Sequence, residues 1–339
     1  MRKRYGGRQV MTDIDYTKAT VCLFDPVHVN LRTTRYALHE IGFRNIDSHS
    51  TLKEFERGLK EANPSLVVAE CASPGVDVLP LIRRIRHGQV NPNPFATIIL
   101  TSWIRDGVHL RRAITSGADD VIIRPFSTAF AEERIRTLIK VRKPFVVTSD
   151  YIGPDRREDS KRPSDAPVVA VPNTLRATVE GDEEALAKAE SWIGEARRTV
   201  ESERVRRLAM RIVVAMELNA DPQTASSATA DLSDVIRTAR ELTETLNSSG
   251  RIEAMQVAEA LLEQVRAFKR PDERSTSNFK LAKELAVGAF AAYANGESIE
   301  RSQDEIDKTV ATLRKRLLSR DAHGGGALAS ATLNTAAAG

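Results

Sequence analysis

Short apolar runs alternate with amphipathic stretches along the first 145 residues of this 339-residue chain. Polar or turn-forming residues flank each apolar run, which is typical of strands buried on both faces of a sheet. The runs predict strands at 21–24, 66–69, 97–100 and 120–123, and a weaker pattern predicts one at 45–48. The amphipathic stretches predict helices at 31–41, 52–61, 79–86, 108–116 and 128–141. Strands and helices in this alternating order predict an α/β domain with a parallel sheet covered on both faces.

A different pattern begins after Lys143-Pro144. Residues 145–148 predict one short strand, and residues 151–179 are rich in Pro, Asp, Arg and Ser, which predicts an extended linker. From Gly181 onward, Ala, Glu, Arg and Leu predominate and predict helices at 182–218, 231–247, 251–268, 276–294 and 297–319. The predicted organisation is a flexible leader at 1–19, the α/β domain at 20–145, a mostly disordered linker at 146–180, an all-α helical bundle for output or interaction at 181–320, and a disordered tail at 321–339.

A carboxylate stands at the end of the third predicted strand. Glu70 follows the apolar run and precedes a loop that contains Pro74 and Gly75, while Asp25 ends the first predicted strand. Open α/β sheets place ligands and chemistry at the carboxyl ends of their strands. We therefore expect a functional site at this edge of the sheet.

Three spaced motifs carry a resemblance to a known family. They are the segment 64–79 with the sequence PSLVVAECASPGVDVL, the pair Thr101-Ser102, and Gly117-Ala118-Asp119-Asp120 followed by Arg124-Pro125-Phe126. Together they resemble the CheY-like receiver domain of two-component response regulators, and the resemblance spans the first 145 residues. It implies a flavodoxin-like, doubly wound (βα)5 fold and a role in phosphorelay signal transduction.

The resemblance also implies a site. In that family an Asp at the end of the third strand accepts a phosphoryl group from a histidine kinase, and two acidic residues after the first strand help to hold Mg²⁺. A Thr or Ser hydroxyl and a Lys contact the phosphoryl oxygens, and an aromatic residue on the last strand reports the change. Because this chemistry consists of positioning and charge neutralisation, each departure from the pattern removes a definite part of it.

Several positions depart from the family pattern. Glu70 stands at the phosphoacceptor position, and Pro26 replaces one of the two acidic residues. Arg124 replaces the Lys with a planar guanidinium suited to binding a carboxylate at two points, and Val121 replaces the aromatic. The pocket that the resemblance implies comprises Glu70 as the phosphoacceptor equivalent, with Asp25, Thr101, Arg124 and Pro125 around it.

Three interpretations of Glu70 stay open at this point. In the first, its carboxylate takes the place of the phosphoryl group, is met by Arg124 and Thr101, and imitates the phosphorylated state. In the second, the domain is an inert folded platform. In the third, the pocket still accepts phosphate, which is the one case in which we expect Mg²⁺ as a cofactor.

The linker contains the distinctive sequence Tyr151-Ile152-Gly153-Pro154-Asp155-Arg156-Arg157. Arg156 and Arg157 are suited to an anion site, since guanidinium groups bind phosphate at two points. A peptide that docks on its own domain or on a partner is the favoured interpretation.

The first long helix of the C-terminal half carries a basic stretch between 197 and 211, with glutamates interleaved. This pattern favours a solvated, salt-bridged helix face, and nucleic-acid contact is the alternative. Leu186, Ile193 and Val200 recur every seven residues, which favours packing in a bundle and leaves a homodimer seam open.

Composition narrows the classes further. A net charge of +4 and 41% apolar residues describe an ordinary soluble protein. No apolar run approaches the roughly 20 residues that cross a bilayer. The two cysteines, Cys22 and Cys71, are expected to be buried thiols, and no metal site is expected. No His occurs between 110 and 322, which argues against a histidine phosphotransfer bundle, and no catalytic set indicates an enzyme.

These observations predict a cytoplasmic two-component signalling protein whose degenerate receiver acts as a scaffold or adaptor. Its expected partners are proteins, such as a histidine kinase or another signalling protein, with a homodimer possible, no membrane contact, and nucleic-acid contact disfavoured. One alternative is a response regulator that is still phosphorylated. Another is a nucleic-acid-binding regulator that uses the helix at 197–211.

Overall fold

A computed structural model describes residues 14–148, 150–156, 168–220 and 232–294 of the chain. It divides into two compact units. The first contains the chain up to Phe145 together with 151–155 and 169–197, and the second contains the remaining described residues.

The first unit is built on a five-stranded parallel sheet with the strand order β2-β1-β3-β4-β5. The strands are β1 (Thr20–Phe24), β2 (Asn45–His49), β3 (Leu66–Glu70), β4 (Thr97–Ser102) and β5 (Asp120–Ile123). β1, β3 and β4 lie inside the sheet, and every residue of β3 and β4 is buried, as the continuous apolar runs predict. The predicted doubly wound, flavodoxin-like sheet is confirmed.

Five helices cover the two faces of this sheet. They are α1 (His28–Ile41), α2 (Leu52–Ala62), α3 (Leu79–Arg86), α4 (Gly107–Thr115) and α5 (Thr128–Lys140). One apolar cluster joins the sheet to α2, α3 and α4, and another joins it to α1 and α5. Side chains fix several helix starts, because the Thr51, Asp106 and Ser127 oxygens accept hydrogen bonds from backbone amides of the first turn.

The prediction of a disordered linker at 146–180 is wrong for its last part. Residues Thr174–Glu180 form a helix, α6, whose Leu175 and Val179 are fully buried in the cluster under α1 and α5. The two residues stand four positions apart, so they lie on one helix face and can both enter the core. Three short strands precede α6: β6 (Phe145–Val147), β7 (Ile152–Pro154) and β8 (Val168–Val169).

The predicted leader is likewise ordered at its end. Residues Tyr16–Lys18 form a short 3-10 helix, and the buried Tyr16 ring lies 4.9 Å from that of Phe43. The backbone N–H of Asp15 donates to the Val179 carbonyl at 2.8 Å. The leader at 1–13, part of the linker at 157–167, and the predicted helix and tail beyond 294 lie outside the described residues.

The second unit is helical. The long α7 (Glu183–Ala220) belongs to it from Arg198 onward, followed by α8 (Leu232–Ser248), α9 (Ile252–Ala267) and α10 (Thr276–Ala294). The core of this unit is an apolar cluster contributed by all four helices, and α9 packs against both α8 and α10. None of the helices in the described part of the chain is long and apolar enough to cross a membrane.

Candidate functional site

Four polar side chains meet at the carboxyl edge of the sheet. Asp25 follows β1, Glu70 ends β3, Thr101 lies on β4 directly beside Glu70 in the strand register, and Arg124 follows β5. Each is at most 6% exposed. We call this group the pocket cluster, and it brings together the residues that the resemblance places in one pocket.

Glu70 is held by both of its carboxylate oxygens. Its Oε2 accepts a hydrogen bond from Thr101 Oγ1 at 2.7 Å and another from Arg124 Nε at 3.0 Å. Its Oε1 accepts from the backbone N–H of Ala72 at 2.9 Å. Hydrogen bonds that involve a charged partner are the stronger kind, so the carboxylate is fixed in one position.

Arg124 links Glu70 to the rest of the pocket. Its Nη2 donates to Thr34 Oγ1 at 2.6 Å and lies 3.2 Å from Asp25 Oδ2. Its guanidinium carbon lies 5.2 Å from the centre of the Phe126 ring and 6.0 Å from that of the half-exposed Trp103. Sequence reasoning missed Thr34, although a Thr one turn before the apolar Leu38 of α1 was available as a signal. Pro125 follows Arg124 through a cis peptide bond.

Electrostatics in the pocket cluster are unbalanced, because one guanidinium faces two carboxylates. Burial raises the pKa of Asp25 above its ordinary value, and the neighbouring charge of Glu70 raises it further. The hydrogen bond from Val27 N and the charge of Arg124 act in the opposite direction but do not prevail.

The pocket cluster does not fit a Mg²⁺ site. Such a site needs near-octahedral oxygen ligands, while both oxygens of Glu70 and both oxygens of Asp25 already face N–H or O–H donors within the chain. Pro26 offers no side-chain ligand, and the Arg124 guanidinium lies between the carboxylates that would face the metal.

A second buried charge cluster lies at the amino ends of β4 and β5. Asp119 precedes β5, and its Oδ2 accepts from the Ile98 backbone N–H at 2.7 Å and from Arg86 Nη2 at 2.8 Å. Arg142 Nη1 donates to its Oδ1 at 2.5 Å. We call Arg86, Asp119 and Arg142 the amino-end cluster. The Phe145 ring lies 5.0 Å from the Arg86 guanidinium and 5.2 Å from that of Arg142.

The carboxylate of the amino-end cluster is saturated with positive partners. Burial alone would raise the pKa of Asp119, but the charges of Arg142 and Arg86 and the Ile98 hydrogen bond hold it below its ordinary value. Burial lowers the pKa of Arg86 to about 10, partly offset by Asp119. Arg86 also donates to the carbonyls of Gly117, Pro94 and Ala96.

Comparison with known proteins gives a consistent set of relatives. The phosphate regulon transcriptional regulatory protein PhoB of Rhizobium meliloti is 30% identical over 115 residues, which cover 34% of this chain and 49% of that protein. The transcriptional regulatory protein TrcR of Mycobacterium tuberculosis is 32% identical over 117 residues, covering 34% of this chain and 42% of that protein. The chain thus spans less than half the length of these relatives. No family model matches the chain.

The N-terminal α/β domain is a response-regulator receiver domain. Its five parallel strands in the order β2-β1-β3-β4-β5 place the pocket cluster at their carboxyl edge. Among solved structures, a response regulator from Thermotoga maritima is similar at 26% identity, covering 37% of this chain and 99% of that one with a TM-score of 0.33.

The distinctive linker sequence contacts the receiver domain at Gly117. A Cβ added to Gly117, whose φ is +95°, would lie 2.5 Å from the Ile152 carbonyl oxygen, and a Cβ on Gly153 would lie 2.8 Å from the Gly117 Cα. Glycine at both positions therefore allows the two backbones to touch. The predicted docking of 151–154 on its own domain agrees with these contacts. Arg157 lies outside the described residues, so the anion site that it would form with Arg156 stays a prediction.

The prediction of a solvated arginine face on the helix at 197–211 is wrong for several of its members. Arg204 and Arg207 are buried, and Arg204 Nη2 donates to Glu241 Oε1 at 2.6 Å. Arg211 Nη2 donates to Asp234 Oδ2 at 2.6 Å. The acidic partners lie on α8, far along the chain, so the local charge pattern could not reveal them. Nucleic-acid binding by this helix stays a prediction, with fewer exposed charges to support it.

Proposed function

We propose that this chain is a two-component signalling protein whose receiver domain carries its own carboxylate in place of a phosphoryl group. It acts as a scaffold or adaptor through protein–protein contacts. The single observation that carries the proposal is the double contact of Glu70 Oε2, which accepts from both the Thr101 hydroxyl and the Arg124 guanidinium.

The contacts match what a bound phosphoryl group would require. In the receiver family a hydroxyl and a cation contact the phosphoryl oxygens, and here Thr101 and Arg124 supply the same two kinds of donor. Glu70 is one methylene longer than Asp, so its oxygen reaches toward these donors from the strand end. A Lys ammonium would present a point charge, whereas the Arg124 fork contacts Glu70 and Asp25 at once.

The same contacts argue against phosphorylation. An attacking carboxylate oxygen must be free to approach phosphorus in line, and it needs a metal to neutralise the incoming charge. Both Glu70 oxygens are already hydrogen-bonded, and the pocket lacks the geometry for Mg²⁺. The Glu70 carboxylate is a permanent charge, whereas a phosphoryl group can be added and removed. Regulation would therefore come from partner binding.

An exposed apolar surface beside the pocket suits a protein partner. Trp103 and Ile104 follow the end of β4 at Ser102 and are 50% and 40% exposed, and Val108 in the next helix is 63% exposed. Aromatic residues at such surfaces are the usual anchors of protein contacts. Because the Trp103 ring also lies 6.0 Å from the Arg124 guanidinium carbon, this surface adjoins the pocket cluster.

The test compares the wild-type chain with Glu70→Ala, Glu70→Asp and the matched control Glu61→Ala, which removes an exposed carboxylate. We expect partners from the source cell to be recovered by wild type and by the control, and to be lost with Glu70→Ala. Wild type should show no Mg²⁺-dependent beryllofluoride binding by tryptophan fluorescence.

Other results would point elsewhere. Phosphate uptake by wild type at residue 70 would overturn the proposal in favour of an active receiver. Equal recovery of a partner by all variants would favour an inert platform. Binding to DNA that falls steeply with salt, together with no protein partner, would favour the nucleic-acid-binding alternative.

A further inference from the structure

Three side chains with metal-binding atoms lie on one face of the first two strands. β1 and β2 pair in parallel, with Cys22 opposite Asp47 and Phe24 opposite His49. Residues two apart on a strand point to the same face, so Asp47 and His49 share one face of β2. Cys22 is opposite Asp47 in the register, and α2 packs against all three. This places a thiol, a carboxylate and an imidazole in one small space away from the pocket cluster.

The three groups are close enough to share one ion. Their candidate ligand atoms all lie within 4.8 Å of one another, and His49 Nε2 is 2.8 Å from Asp47 Oδ2. Cys22 is fully buried, the His49 side chain is 10% exposed and the Asp47 side chain is 46% exposed. The site is therefore closed on the sheet side and open to water past Asp47, which provides an entry path.

Helix α2 leaves room for these side chains only because residue 58 is glycine. A Cβ at Gly58 would lie 2.3 Å from His49 Nε2 and 2.8 Å from Asp47 Oδ2. Glycine weakens a helix interior, so its presence in α2 requires a packing reason. The close approach of the His49 and Asp47 side chains supplies that reason.

We propose that Cys22, Asp47 and His49 form a zinc site with three protein ligands and an open fourth position. Thiolate sulfur, imidazole nitrogen and carboxylate oxygen are the donors that Zn²⁺ takes in proteins, whereas Mg²⁺ and Ca²⁺ avoid thiolate. Zinc would replace the thiol proton of Cys22, which leaves to solvent, and the S–Zn bond would form in its place. The Cys22 thiolate and the Asp47 carboxylate then balance the charge of the dication.

Zinc takes a cysteine ligand as the thiolate, so metal binding at this site should release the Cys22 proton and weaken as the pH falls. Zinc would join the edge strand β2 to the buried β1 and stabilise the folded receiver domain.

The test uses the full chain after dialysis against a chelator, with Co²⁺ as the spectroscopic probe and Zn²⁺ as the competitor. We expect a thiolate-to-cobalt charge-transfer band that saturates near about one equivalent and is removed by Zn²⁺. Cys22→Ser should abolish the band. Cys71→Ser is the matched control and should retain the band. Cys71 Sγ lies 3.6 Å from His109 Nε2, so this variant tests whether that second Cys–His pair is the source of the band instead.

Two further variants keep the test valid if Cys22→Ser does not fold. Asp47→Asn and His49→Gln alter less buried side chains, and each should weaken Zn²⁺ binding by at least about tenfold. Zn²⁺ should also raise the midpoint of thermal unfolding for wild type more than for either variant. The proposal would be overturned by the absence of a charge-transfer band in folded wild type, or by a band that Cys71→Ser removes and Cys22→Ser does not.

Discussion

The two ends of the receiver sheet hold buried charge clusters of opposite composition. At the carboxyl end, one guanidinium, Arg124, faces two carboxylates, Asp25 and Glu70. At the amino end, one carboxylate, Asp119, faces two guanidiniums, Arg86 and Arg142. The charged side chains of both clusters are almost inaccessible to water.

The difference appears in the carboxylates themselves. The pKa of Asp25 is raised, because burial outweighs its share of a single cation, while the pKa of Asp119 is lowered by two cations and a backbone donor. A buried carboxylate with surplus positive partners stabilises a structure, whereas a buried pair sharing one cation stays sensitive to its surroundings. The amino-end cluster thus resembles a structural ion-pair network, whereas the pocket cluster keeps one carboxylate more than it has guanidiniums.

Removing the Asp119 carboxylate of the amino-end cluster should lower the stability of the fold most. Asp119→Asn would leave two buried guanidiniums without a compensating charge, and we expect it to lower the free energy of unfolding by about 3–5 kcal/mol. Both tryptophans, Trp103 and Trp192, belong to the first unit, so denaturation followed by tryptophan fluorescence reports it.

Glu61→Ala provides the control for that measurement, because Glu61 and Arg57 form an exposed pair. Its effect should stay within about 0.5 kcal/mol. If Asp119→Asn costs no more than this control, the amino-end cluster does not hold the domain together, and the contrast between the two ends fails.

The stability contributed by the pocket cluster should depend on pH with the opposite sign from that of the amino-end cluster. Because the pKa of folded Asp25 is raised, its contribution to stability is complete below about pH 4 and is lost as the pH rises through the folded value. Asp25→Asn removes this loss, so the stability of the variant relative to wild type should increase as the pH rises above about 4. At neutral pH, Arg124 still has Glu70, and the net change should stay within about 1 kcal/mol.

The amino-end cluster should show the reverse pH dependence. Asp119 contributes stability above about pH 4 that is lost as the pH falls through its lowered value. Denaturation curves at several pH values distinguish the two. A stability difference between Asp25→Asn and wild type that declines as the pH rises would contradict the raised pKa.

The smallest expected effect concerns the rings over Arg124. Phe126→Leu keeps an apolar side chain but removes the ring 5.2 Å from the guanidinium, and it should cost about 0.5–1 kcal/mol. Phe130→Leu, which alters a surface ring on α5, is the control and should change the denaturation midpoint less. Equal shifts would mean that the Phe126 ring does not support the pocket.

The sequence predicted the sheet well because its signals are local. The apolar runs at β3 and β4 needed no knowledge of distant residues, and α3, β5 and α10 begin and end where the pattern places them. The meeting of Glu70, Thr101 and Arg124 followed from parallel strand ends and the family resemblance.

What the sequence could not reveal depends on pairs far apart in the chain. Arg86 resembles any surface arginine of an amphipathic helix, and only the fold brings it to Asp119 and places the Phe145 ring beside its guanidinium. The burial of Arg204 is similarly explained by Glu241 on another helix. The first helix starts at His28 rather than at 31, because its polar opening turn lacks the apolar spacing that marks the rest.

Helix α6 decides where the receiver domain can be cut and fused to another domain. Leu175 and Val179 complete the core beneath α1 and α5, and Asp15 is tied to Val179. A receiver cut after its fifth helix would carry an uncovered apolar patch to any new fusion partner. The unit that can be moved between proteins is therefore the receiver together with α6. A recombination event that separates the two would expose apolar surface and produce a protein that tends to aggregate.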